Sequence, residues 1–220
     1  MEKIALVSVT LNAVNPMMEY FKQKDEAFEI RNYLDSYLLQ KVNEEGGIND
    51  SSMKRMFQML ANACEDGAAA VLLTCTIFSP FAEHFGALLS KPIICPDGAM
   101  LNSVAQREGK TAILCTFSGT IDTTRNLYMS YRVRHGKSEE VDMHLVHGAW
   151  EAVQKGDMVQ FDKAIQDKVK QLDAEYDQIV LAQISMARAV KGFATDHARL
   201  YTSPDSAYEA VREALLEKGL

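Results

Sequence analysis

Short apolar runs alternate with segments of helical periodicity along the whole chain, and this alternation constrains the fold more than any other feature. Apolar runs bounded by Gly, Pro, Asn, Asp or Ser are typical of buried strands. Strands that alternate with helices predict an α/β fold with parallel sheets. The predicted strands are 3–9, 28–34, 71–75, 92–95, 111–116, 141–146, 178–181 and 199–202.

The intervals between these runs are predicted to be loops and helices. Asn15-Pro16 is a turn signal, so residues 10–16 are predicted to form a loop. Asp35 or Ser36 is expected to cap a helix that ends near residue 45. The other predicted helices are 17–23, 50–65, 78–89, 96–107, one opening in 118–124, one or two in 149–172, a short one in 183–190, and 205–218.

The stretch 71–80 places a cysteine at the end of a predicted strand. Aliphatic residues at 71–73 run into Thr74, Cys75 and Thr76, and helical sequence follows. In open α/β sheets, ligands bind at the carboxyl ends of the strands. Cys75 is therefore a candidate for chemistry, although a small buried thiol that only packs explains the same pattern.

A weak internal repeat is present at a spacing of about half the chain. The segment 3–7 matches 110–114, and two further pairs match at almost the same spacing. A shared offset indicates two copies of one βα unit. The pairs and their offsets are 3–7 with 110–114 (107), 71–75 with 179–183 (108) and 94–97 with 202–205 (108).

The repeat predicts two similar lobes related by a pseudo-two-fold, with the active site in a cleft between them. The first lobe is expected to comprise residues 1–96 plus 206–220, and the second residues 97–205. The same alignment sets Cys75 across from Gln183.

Composition excludes several classes of protein and site. The net charge of −7 and the pI near 5.3 argue against a nucleic-acid surface. None of the four cysteines has CxxC spacing or a Cys/His cluster, so a zinc site is not expected, and neither is a disulfide scaffold. No apolar run approaches the roughly 20 residues of a membrane span, and the N-terminus shows no signal-peptide pattern. A cytoplasmic location is the default expectation.

Four motifs together resemble the aspartate/glutamate racemase superfamily, which includes hydantoin racemases, maleate isomerases and arylmalonate decarboxylases. The resemblance covers most of the chain. It implies a two-lobed fold, a small carboxylate, amino-acid or hydantoin-like substrate, no cofactor or metal, a homodimer, and two cysteines on opposite faces of a carbon acid. The motifs are Leu73-Thr74-Cys75-Thr76, Asn15-Pro16, Thr116-Phe117-Ser118-Gly119-Thr120 and Leu181-Ala182-Gln183-Ile184-Ser185-Met186-Ala187.

The candidate site combines one thiol with many hydroxyls. A thiolate at a strand-to-helix loop can act as the base if helix dipoles lower its pKa, which makes Cys75 the candidate acid/base. Hydroxyls can hold the substrate carboxylate and support an enolate-like transition state; helix capping is the alternative role for Ser118 and Thr120. The predicted substrate-binding residues are Thr10, Asn12, Thr74, Thr76, Thr116, Ser118, Thr120 and Ser185.

The chain departs from the two-cysteine pattern at one position. Gln183 stands where the second cysteine is expected, and an amide is neither acid nor base near neutral pH. Cys115 lies inside a predicted strand and does not simply replace it. His147, after the strand 141–146, is a candidate for the missing proton donor, with capping beside Gly148 as the alternative.

Three functions remain open at this point. Cofactor-independent racemisation or epimerisation has the support of the resemblance. A single-cysteine decarboxylase or lyase of a malonate-like acid has the support of the missing thiol, because such chemistry needs one sulfur. A catalytically degenerate protein that only binds a small ligand is the third.

Overall fold

The computed structural model describes residues 2–24, 28–138 and 140–217. The chain divides into two compact units. We call Met1–Pro96 together with Ala207–Leu220 the first lobe, and Asp97–Ser206 the second lobe.

The first lobe contains a four-stranded parallel sheet with strand order β2-β1-β3-β4. Its core is formed by central strands that are buried on both faces and by the apolar faces of the surrounding helices, including Met56, Leu60 and Ala63 of α3. The strands are β1 (Glu2–Ser8), β2 (Phe28–Leu34), β3 (Ala70–Leu73) and β4 (Ile93–Ile94). The helices are α1 (Leu11–Gln23), α2 (Leu38–Glu44), α3 (Asp50–Glu65), a 3₁₀ helix (Thr76–Phe81), α4 (Ala82–Leu89) and most of α9 (Ser203–Glu217).

The second lobe repeats this plan with strand order β6-β5-β7-β8, again parallel. Helices cover both faces of its sheet: Ala112 and Leu114 pack with α8 residues such as Phe161, while Ile113 and Cys115 pack with α5. The strands are β5 (Thr111–Cys115), β6 (Asp142–Leu145), β7 (Gln178–Leu181) and β8 (Arg199–Thr202). The helices are α5 (Pro96–Ala105), 3₁₀ (Ser118–Thr120), α6 (Ile121–Arg134), α7 (Ala149–Gln154), α8 (Met158–Leu172) and 3₁₀ (Ile184–Val190).

The two sheets share the register of their central strands. Ile4 pairs with Ala70 in the first lobe, and Thr111 pairs with Gln178 in the second. These pairs are related by the offsets of 107 and 108 seen in the sequence (4 to 111, and 70 to 178). The predicted α/β class with two similar parallel sheets is therefore confirmed.

The predicted loop at 10–16 is wrong. α1 begins at Leu11 and contains Pro16. Proline removes one backbone hydrogen bond and favours a break, which is why the sequence pointed to a turn. The helix forms because Val14, Met17 and Phe21 lie on one face and are buried, and this burial offsets the lost hydrogen bond.

The predicted helix 78–89 is two elements, a 3₁₀ helix (Thr76–Phe81) followed by α4. Pro80 lies inside the first element. Within the described ranges, no helix combines the length and apolar character needed to cross a bilayer.

We expect the Asn49→Ala variant to lower the free energy of unfolding by roughly 0.5–2 kcal/mol, the usual effect of losing an N-cap. The Asn49 side chain accepts a hydrogen bond from the Ser52 amide (3.1 Å), and the Ser52 hydroxyl accepts one from the Asn49 amide (2.9 Å), so α3 begins with a complete capping box. Urea unfolding followed by circular dichroism measures the change. The matched control is Asn62→Ala on the exposed face of α3, which should change stability by less than about 0.5 kcal/mol; equal losses in both variants would contradict the capping account.

Candidate active site

Cys75 lies directly beyond the end of the central strand β3. The Thr74 amide donates to the Val7 carbonyl (3.0 Å), which extends the sheet by one residue. Cys75 then adopts an extended conformation and precedes the 3₁₀ helix, and its carbonyl accepts from the Phe78 amide (3.0 Å). Its side chain is 5% exposed and belongs to the edge of the lobe's apolar core. The thiol therefore sits at the strand end that the sequence predicted, held by backbone hydrogen bonds on both sides.

A partly buried pair of hydroxyls supports the strand end next to Cys75. The Ser8 and Thr74 hydroxyls are 2.8 Å apart, and Thr74 Oγ1 also lies 3.3 Å from the Val7 carbonyl. Ser8 is fully buried at the end of β1. Sequence reasoning missed Ser8; a polar residue closing an apolar strand was the available signal.

Thr10 and Asn12 follow β1 at the start of α1. Thr10 occupies the N-cap position without a side-chain capping hydrogen bond and is half-buried, while Asn12 is exposed in the first turn. Thr76, half-buried, opens the 3₁₀ helix after Cys75.

Gln183 occupies in the second lobe the place that Cys75 occupies in the first. The Ala182 amide donates to the Leu114 carbonyl (3.0 Å), Gln183 is extended, and its carbonyl accepts from the Met186 amide (3.0 Å) as a 3₁₀ helix begins. Each of these features has its counterpart at Cys75. The two residues are thus structurally equivalent within their own lobes.

The Gln183 side chain is fully engaged by neighbouring groups of its own lobe. Its Oε1 accepts from the Thr116 amide (2.8 Å) and from the Thr116 hydroxyl (3.3 Å), and its Nε2 donates to Thr120 Oγ1 (3.0 Å). Thr120 Oγ1 in turn donates to the Phe117 carbonyl (2.8 Å). These bonds fix both the position and the orientation of the amide.

The predicted hydroxyls therefore fall into two groups. Those of Thr74, Thr116 and Thr120 hold protein groups, and Thr120 does not cap α6 with its side chain. Within the described part of the chain, the other predicted substrate-binding side chains make no hydrogen bond to protein. These available groups belong to Thr10, Asn12, Thr76, Ser118 and Ser185.

Cys115 lies beneath the Gln183 amide and is chemically unlike an acid/base. The thiol ends β5 and is 0% exposed. Burial raises the pKa of the Cys115 thiol, and hydrogen bonding with Gln183 and Thr120 opposes that effect only in part. Thiol catalysis needs the opposite shift.

His147 is exposed in the turn between β6 and α7, and it follows the end of its strand as predicted. Gly148 provides the left-handed backbone (φ 78°) that starts α7. Among residues 2–24, 28–138 and 140–217, no group of three or more His, Cys, Asp or Glu side chains is arranged to hold a metal ion.

Solved structures match the fold over nearly the whole chain. An aspartate racemase from Picrophilus torridus superposes with a TM-score of 0.74 at 10% sequence identity, covering 98% of this chain and 94% of its own. A glutamate racemase from Bacillus anthracis gives 0.72 at 16% identity, covering 99% and 83%. This chain has the fold of the aspartate and glutamate racemases. An allantoin racemase from Klebsiella pneumoniae also matches, with a TM-score of 0.71, 15% identity and coverage of 100% and 89%.

The likeness lies in the fold rather than in the sequence. No family model and no curated protein matches this sequence. The resemblance predicted from the four motifs is confirmed at the level of the racemase fold. The roles of Cys75, Gln183 and His147 stay predictions.

We expect wild-type protein to lose more stability as pH rises above about 9 than the Cys115→Ala variant does. Because the folded-state pKa of Cys115 lies above the ordinary 9.0, the unfolded chain releases its thiol proton first as pH rises. The stabilising effect is complete below about pH 9 and declines as pH rises through the higher pKa of the folded state.

Urea unfolding across this pH range measures the difference. Burial raises the pKa of Tyr33 and of Tyr176 to about 12, but both tyrosines are present in all variants and their effect cancels. The Asn62→Ala variant, which removes no titratable group, is the control and should keep the wild-type slope. Equal slopes for wild type and Cys115→Ala would show that Cys115 does not titrate differently in the folded state.

Proposed function

We propose that this chain is a cofactor-independent enzyme of the racemase and isomerase type, acting on a small carboxylate, amino acid or hydantoin-like carbon acid. The observation that carries the proposal is the location of Cys75 directly after a buried central strand of a racemase fold. In parallel α/β sheets this is the end at which ligands bind. Cys75 serves as the acid/base that removes and returns the proton next to the substrate carbonyl.

Available hydroxyls are proposed to bind the substrate carboxylate. Thr76 adjoins Cys75 at the start of the 3₁₀ helix, and Thr10 follows the neighbouring strand β1. Neutral hydroxyl donors suit this task because they can hydrogen-bond to an anion. They also add no negative charge near the thiol, and negative charge would raise its pKa. The same groups can stabilise negative charge as the proton leaves.

The second half of a racemase reaction requires a proton donor that Gln183 cannot provide. The amide is held by Thr116 and Thr120, and it does not titrate near neutral pH. We therefore propose that catalysis is one-sided unless His147, exposed at the end of β6, supplies the second proton. This role for His147, a residue of the second lobe, requires that both lobes contact one substrate, as the sequence predicts.

The replacement of the second cysteine favours a second candidate, decarboxylation of a malonate-like acid. In that reaction the C–C bond to one carboxylate breaks, CO₂ leaves, and the electron pair remains as an enolate. The Cys75 thiol then protonates the carbon, and water restores the thiol proton. A protein that only binds a small ligand is the remaining alternative, and it is separated from both enzymes by the experiment below.

We expect Cys75→Ala and Cys75→Ser to reduce turnover roughly 10²–10⁴-fold, the usual contribution of a general acid/base. The measurement is NMR in D₂O with a panel of amino acids, hydantoins and malonates. Deuterium incorporation at the α-carbon without inversion indicates one-sided exchange, inversion indicates a racemase, and CO₂ release indicates a decarboxylase. Cys64→Ala is the matched thiol control and should retain wild-type activity. Full activity in Cys75→Ala would refute the assignment, and binding without exchange in wild type would indicate the degenerate protein.

If wild type shows one-sided exchange, we expect Gln183→Cys to add inversion, because it places a second thiol at the position equivalent to Cys75. The readout is the ratio of inversion to exchange in D₂O. Gln183→Ser is the control, since it is similar in size to cysteine but has no acidic proton near neutral pH. Inversion in the serine variant, or none in the cysteine variant with its fold intact, would argue against a role for residue 183 in proton transfer. The homodimer and the cytoplasmic location stay predictions.

A further inference from the structure

A cavity of about 400 Å³ opens at the end of the second sheet opposite to Gln183. It lies where β7 and β8 begin, whereas Gln183 follows the end of β7. It is therefore distinct from the candidate active site. Its lining residues are Arg107, Glu108, Asp177, Gln178, Arg199 and Tyr201.

Two arginines give the cavity a cationic side. The guanidinium carbons of Arg107 and Arg199 lie 5.6 Å and 5.3 Å from the centroid of the Tyr201 ring. Stacking on an aromatic ring holds a guanidinium in place and leaves its N–H groups free to bind anions. In the described part of the chain, neither arginine forms an ion pair with a carboxylate.

A buried amide gives the cavity an acceptor that lacks a donor. Gln178 is 3% exposed, and its Nε2 donates to the Glu108 carbonyl (2.8 Å). This bond fixes the orientation of the amide, because the opposite orientation would set two carbonyl oxygens against each other. Gln178 Oε1 is then buried with no hydrogen-bond partner among the described residues. Such a group costs free energy until a donor reaches it.

The lining of the cavity also includes a carboxylate, that of Asp177. The Asp177 side chain is about half exposed. Its Oδ2 accepts from the Lys110 amide (2.7 Å) and its Oδ1 lies 3.8 Å from His197 Nε2, and a carboxylate with these two neighbours keeps further acceptor capacity. The other lining carboxylate, Glu108, is bonded to Lys137. The lining therefore carries two cationic and two anionic side chains, with the positive and negative groups on different residues of one small cavity.

We propose that this cavity binds a small zwitterion of the α-amino-acid type. The ligand carboxylate lies between Arg107 and Arg199, and the ammonium group donates to Asp177 and to the buried Gln178 Oε1. A simple anion can pair with the two arginines, but it leaves Gln178 without a donor and is repelled by the Asp177 carboxylate. A simple cation is repelled by the two guanidinium groups. Only a ligand with both charges matches all four groups.

The test uses the full-length, ¹⁵N-labelled protein and three probes that differ by one charge each. L-alanine carries both charges, N-acetyl-L-alanine lacks the ammonium group, and L-alaninamide lacks the carboxylate. Heteronuclear NMR follows the backbone amides of Gln178 and Arg199 and the Nε–H signals of Arg107 and Arg199 at millimolar probe concentrations. We expect saturable shifts of these signals with L-alanine and weak or no shifts with the other two. Equal shifts with N-acetyl-L-alanine would overturn the zwitterion in favour of a plain anion, and no shifts with L-alanine would overturn the site.

Variants separate the cavity from the active site. Arg199→Ala should weaken L-alanine binding at these signals by at least about tenfold. Cys75→Ala should leave it unchanged, so this inference fails or stands independently of the proposed function. Arg134→Ala is the matched control, because Arg134 also stacks on a tyrosine of the second lobe (5.6 Å from the Tyr131 centroid) but does not line the cavity. Equal loss of binding in Arg134→Ala and Arg199→Ala would contradict the assigned site.

Discussion

The pairing of two buried central strands in each lobe is the constraint on which the rest of the structure depends. β1 with β3, and β5 with β7, are covered on both faces, so their backbone groups must find partners within the sheet. The last of these hydrogen bonds come from the amides of Thr74 and Ala182. Cys75 and Gln183 are the next residues. They are therefore the first residues of each lobe that lie beyond the hydrogen bonds between the central strands. The need to pair buried backbone groups therefore determines where the central strands end, and so where the two candidate residues lie.

Most of the fold is predictable because strands buried on both faces read as continuous apolar runs. β7 and β8 have the predicted bounds, and the repeat at 107 and 108 residues reappears as a shared register. α1 was not predictable from local sequence, because Asn15-Pro16 favours a turn and only the burial of Val14 and Phe21 reverses that preference. Local propensity decides such a segment only when no core is nearby to compete with it.

The equivalence of Cys75 and Gln183 was predictable from the sequence, but the hydrogen bonds around them were not. The spacing of the repeat made Gln183 equivalent to Cys75, and the structure places both at the same point of their lobes. The bonds that Gln183 makes join it to Thr116 and Thr120, which are 67 and 63 residues away. Such bonds depend on rotamers and loop paths, which a spacing does not specify. For that reason the sequence grouped all the hydroxyls as candidate substrate contacts and did not separate the three that hydrogen-bond to protein groups.

The clamp around Gln183 has a consequence for binding in the second lobe. The Thr116 amide and hydroxyl both donate to Gln183 Oε1. The two donors are therefore already used by a side chain of the same lobe. A carboxylate is a stronger acceptor than an amide oxygen, but the amide competes at the high effective concentration of an intramolecular group. A diffusible acid can use those donors only by rotating Gln183 away. A cysteine at this position is too short to reach the same point, and it would leave the donors open to any small acid in solution.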